Sequence, residues 1–109
     1  MGFVTDSIRL RQLNGERMDL KYKIQQIAAS KKDLTSVNND LIKVGTDYDP
    51  DSPLMKTIQQ RQDKIKILEE KLNQEMHDYQ LQLDVVEAEY KSCKERVRSE
   101  IQEEFSYSL

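Results

Sequence analysis

A chain of 109 residues with 34% charged side chains, seven aromatics and no Trp is long enough for one domain at most. Its few turn-formers and many helix-formers exclude a sandwich, a barrel or an alternating α/β fold, and the expectation is an elongated helical protein without room for a catalytic pocket. Seventeen basic against twenty acidic residues, with no basic stripe interleaved with aromatics, argue against a nucleic-acid partner. No apolar run approaches the eighteen residues of a membrane span.

The first predicted helix covers 5–44. It carries a heptad of Leu13, Leu20, Ile27, Leu34 and Leu41, each seven residues from the next. Gly15 is its one weak point, costing about 1 kcal/mol in a helix interior and compatible with a bend. Gly45 suits the left-handed position that follows a helix. The turn, 45–52, leads into Pro50-Asp51-Ser52-Pro53. Pro50 withholds a helical amide and biases Asp49 away from helical angles. Ser52 before Pro53 reads as a helix start, a side-chain cap followed by a ring that fixes φ.

The second and longer helix covers 53–105 and repeats the heptad in Ile58, Ile65, Leu72, Tyr79 and Val86, followed by Cys93. The numbers of Leu41 and Ile58, Leu34 and Ile65, Ile27 and Leu72, Leu20 and Tyr79, and Leu13 and Val86 each add to 99. A hairpin folded about Asp49-Pro50 brings those pairs to the same height. A second layer runs through Leu10–Tyr90, Ile24–Met76 and Val44–Leu54, broken by Arg17, Ser30 and Arg61. Charge agrees with this register. Residues 72–90 hold five acids and no Lys or Arg, and the facing 9–27 hold five basic and two acidic residues. The fold class is all-α: a single antiparallel two-helix coiled-coil hairpin over 1–109.

Helix two also carries a continuous stripe from Leu72 to Phe105 that averages near 3.67 residues per step. That period lets the C-terminal part leave the seam and face something else. The register uses residues up to about 98, which leaves Ile101, Phe105, Tyr107 and Leu109 without a partner within the hairpin. Leu81 and Val85, with Met18 and Tyr22 at similar height, form a second apolar stripe off the seam. These eight residues are the candidate intermolecular interface.

Chemical motifs are weak. Asp47, Asp49 and Asp51 start like a calcium loop, but Ser52 stands where Gly is required and Ile58 where the bidentate Glu belongs. His77 and Cys93 lie sixteen residues apart on one helix, about 24 Å, too far for a shared metal or a nucleophilic pair. Cys93 falls on the apolar stripe and reads as a small hydrophobe. No catalytic, metal or cofactor residue is assigned, and the expectation is a protein that is not an enzyme.

A helix, the turn Pro50-Asp51-Ser52-Pro53 and a longer helix ending in Ile101-Gln102-Glu103-Glu104-Phe105 together resemble the subunits of type III secretion needles. That resemblance implies a small hairpin, exported without a cleavable signal, which polymerises into a hollow helical filament with its C-terminal helix inside. Longer helices and a tail running on to Leu109 distinguish the chain from that family. Two functions follow as expectations. One is a structural subunit whose partner is itself, as a homo-oligomer or helical polymer, together with other secretion or assembly components. The other is a cytoplasmic coiled-coil adaptor or secretion chaperone that binds a partner helix.

Overall fold

The computed structural model describes residues 2–107 in full and the backbone of Ser108. It contains two helices, α1 over Phe3–Gly45 and α2 over Pro53–Ser108, and no strand among the described residues. They form an all-α helical hairpin. α1 starts two residues earlier than the sequence suggests, because the Gly2 carbonyl accepts the Asp6 amide at 3.0 Å and closes the first turn. α2 runs three residues further than expected, the Ser106 hydroxyl donating back to the Gln102 carbonyl at 2.9 Å in its last turns.

The turn is built as its residue types dictate. The Asp49 carboxylate accepts the Asp51 amide at 3.2 Å, a local bond that competes with helix and holds the reversal. Ser52 Oγ accepts the Met55 amide at 3.1 Å, and the Ser52 carbonyl accepts Lys56 at 3.2 Å. Ser52 is therefore the N-cap and Pro53 the first helical residue. Gly45 corrects the expectation of a left-handed cap, since no glycine has positive φ. It is the last residue of α1 and is buried, and a Cβ there would stand 3.3 Å from Met55 Cε. Its value is room for Met55, not backbone freedom. Gly15 causes no break in α1, and nothing stands within 4 Å of where its Cβ would be.

The chain divides into two compact units, one of Met1–Lys23 with Tyr79–Leu109 and one of Ile24–Asp78. In the terminal unit Leu13, Leu20 and Cys93 are buried, with Tyr79 and Val86 half-buried. The seam also extends one heptad beyond Leu13: Asp6 is 1% exposed, and Cys93 Sγ donates to its carbonyl at 3.2 Å. Asp6 and Cys93 thus continue the register of 99. In the turn unit Ile27, Ile58 and Ile65 are buried, while Leu34, Leu41 and Leu72 are half-buried.

The second layer differs from expectation at one end. Val44 and Leu54 are exposed, and Gly45 and Met55 take the inward places beside them. From there the half-buried positions repeat by sevens, through Asn38, Lys31, Ile24, Arg17, Leu10 and Phe3 on α1. On α2 they run through Gln62, Glu69, Met76, Leu83, Tyr90 and Val97. Arg17 is a member of this layer; Ser30 and Arg61, expected to interrupt it, lie outside it and are exposed. The seam of α2 therefore keeps a seven-residue repeat as far as Val97 and Glu100. The average of 3.67 comes from the last two steps of the apolar stripe, to Ile101 and Phe105, both exposed.

Candidate functional site

The terminal unit concentrates the polar chemistry that joins α1 to α2. Arg9 reaches Glu89 at 2.8 Å, and Arg17 and Lys21 converge on Glu87 at 3.4 and 3.5 Å. These pairs join the basic stretch of α1 to the acidic stretch of α2. They are partly exposed, so each adds about 0–1 kcal/mol and serves mainly to fix orientation. Arg17 also lies 4.5 Å from the centroid of the Tyr90 ring, and Lys23 5.4 Å from that of Tyr79. A guanidinium over an aromatic face keeps its charge stabilised where its stem is half-buried.

Asp6, Arg96 and Glu100 form a polar plug beyond the last apolar pairs. Arg96 Nε stands 3.6 Å from Asp6 Oδ1. When Glu100 is ionised, neither Asp6 carboxylate oxygen has a well-placed hydrogen-bond donor among the described residues. Protonated Glu100 supplies one. Its carboxyl is accordingly held above the usual carboxylate value of 4.5, first by hydrogen bonding to Asp6, then by partial desolvation and the Asp6 charge. Sequence reasoning missed this cluster because acids read as the end of a seam. The available signal was spacing: Asp6 lies seven residues before Leu13, and Glu100 seven after Cys93.

The expected interface residues fall into separate places. Ile101 is 50% exposed, Phe105 65% and Tyr107 92%, all on a helix that continues to Ser108. Leu109 lies outside the described residues. Ile101 forms the edge of an apolar groove with Leu10, Lys94, Val97, Arg98 and Gln102. Met18, Tyr22, Leu81 and Val85 are all exposed. Val85 lines a shallow depression with Glu16, Asp19 and Lys23. The heptad sets Met18 toward the other flank, where Lys21 and Glu87 pair.

The remaining motifs stand apart from one another. Cys93 is buried, and His77 is exposed beside Asn73, Gln74 and Asp78. Asp47, Asp49 and Asp51 are exposed in the turn. No group of three His, Cys, Asp or Glu able to hold a metal occurs among the described residues. No helix among them is long and apolar enough to cross a membrane. No protein-family model, curated protein or solved structure matches the chain.

Proposed function

We propose that this protein is a structural, non-catalytic subunit that self-assembles through the distal part of α2. One observation carries the reading: α2 runs past the end of its seam and presents Ile101, Phe105 and Tyr107 outward, each at least half exposed. A helix that ends a two-helix hairpin gains nothing within the chain from such residues. Large apolar side chains on a structured helix are stabilised when a neighbour covers them. A two-helix hairpin also has a thin core, so association adds burial that the single chain lacks.

In this reading hairpins stack through their α2 tails, and the charged flanks of the terminal unit orient them. The needle-subunit resemblance of the turn and tail suggests a filament or tube as the finished form. Negative-stain microscopy of the purified protein over a hundredfold range of concentration tests the proposal. Fibres or large particles are expected for the natural sequence. Phe105→Asp removes them while helical content by circular dichroism stays nearly unchanged. A chain that remains monomeric at the highest concentration overturns the reading.

A further inference from the structure

The groove beside Ile101 has a definite shape. Lys94, Val97, Arg98 and Ile101 stand at positions i, i+3, i+4 and i+7 of α2, with Leu10 of α1 along the edge. Four residues at that spacing make the hole into which a side chain of a facing helix inserts in a coiled coil. Phe105, on the same helix three residues beyond the groove's last member Gln102, is 65% exposed. We infer that the groove's occupant is Phe105 of a second copy, and that two α2 tails cross antiparallel about a two-fold axis at Ile101. This rests on the self-assembly reading and names the contact it uses.

The symmetry follows from the spacing. Setting Phe105 of one copy over the centre of the other's hole brings Ile101 beside Ile101 of the second copy. The same operation places the first copy's Phe105 in the second copy's hole, so one contact fills both grooves and closes on a pair of hairpins; a filament is then built from such pairs, joined along their other faces. Charge selects the antiparallel direction. About this axis Arg98 faces Glu104 of the second copy, and Lys94 and Arg98 border the inserted ring, where cations are favourable. A parallel crossing at the same place would set Arg98 on Arg98 and Glu104 on Glu104, which like-charge repulsion disfavours.

Oxidative cross-linking and charge reversal test the geometry together. In a Cys93→Ser background, Ile101→Cys is expected to form a disulfide-linked dimer readily, because the residue meets its own copy. Phe105→Cys in the same background is expected to link poorly, since the two copies of that position lie about 12 Å apart along the helices, beyond disulfide reach. With the natural Cys93 retained, Arg98→Glu and Glu104→Arg should each weaken self-association by about tenfold, and the double reversal should restore it. Self-association without preferential linkage at position 101, or with single reversals no weaker than the natural sequence, overturns the two-fold contact and leaves self-assembly standing. A natural chain that stays monomeric overturns both.

Discussion

In the terminal unit the second layer is filled by Phe3, Leu10, Leu83, Tyr90 and Val97, with Arg17 stacked on Tyr90. In the turn unit the same heptad positions hold Lys31, Asn38, Gln62 and Glu69 between Ile24 with Met76 at one end and Gly45 with Met55 at the other. Asn38, Gln62 and Glu69 line a shallow depression there with Asp63 and Lys66. One unit therefore holds its helices with two apolar layers and interhelical ion pairs. The other relies on one apolar layer and a capped turn that keeps its two helical segments in register. Closing a short loop is entropically cheap, so a unit whose two segments are joined by a turn tolerates a wetter seam than one without such a turn. The unit without the turn is also the one whose helix runs on to exposed Ile101 and Phe105.

Substitutions sharpen that contrast. The largest effect is expected at Leu13, among the most buried seam residues: Leu13→Ala should cost about 2–5 kcal/mol by denaturant unfolding. A gain is expected in the other unit, where Asn38→Leu with Gln62→Leu replaces a half-buried polar layer and should add about 1–2 kcal/mol. If that pair proves destabilising, the polar layer contributes more than its burial indicates and the contrast fails. Gly15→Ala places a methyl group in open space on an intact helix and should raise stability by about 1 kcal/mol.

The smallest effect is a pH dependence at Glu100. Its pKa is raised in the folded chain, chiefly by the hydrogen bond to Asp6, so the folded state holds a proton that the unfolded state releases near 4.5. The stabilisation is complete below that value and is lost as pH rises through the raised folded value. Glu100→Gln keeps a neutral donor and should flatten this decline in a series of thermal melts. An unchanged pH profile would remove Glu100 from the plug.

Much of the hairpin was legible because its signals are local or periodic. Ser52 and Pro53 announce a helix start through chemistry that needs no tertiary context, and ten seam residues follow from the spacing of apolar side chains. The charge register was readable for the same reason: Arg9 and Glu89 meet where the pairing of blocks placed them. What sequence concealed were the seam positions held by polar residues. Lys31, Asn38, Gln62 and Glu69 sit on the inward face by geometry, although their side-chain type argues for solvent. Val44 and Leu54 were favoured because Gly45 has no side chain to read as buried, although Gly45 and Met55, one residue away, take the inward side. Of the candidate interface, the tail was readable as surplus to the register, but the hole beside it was not, because Leu10 comes to it from the other helix.

Ile67 in the turn unit and Phe105 in the terminal unit are equally exposed, at 65%, and so offer a matched pair. Sedimentation velocity over a range of concentrations, on the natural chain and on the Phe105→Asp and Ile67→Asp variants, separates general stickiness from a built contact. The expected result is concentration-dependent association for the natural chain and for Ile67→Asp, lost only in Phe105→Asp. Equal loss in both variants, or association that survives Phe105→Asp, would contradict the assignment of assembly to the α2 tail.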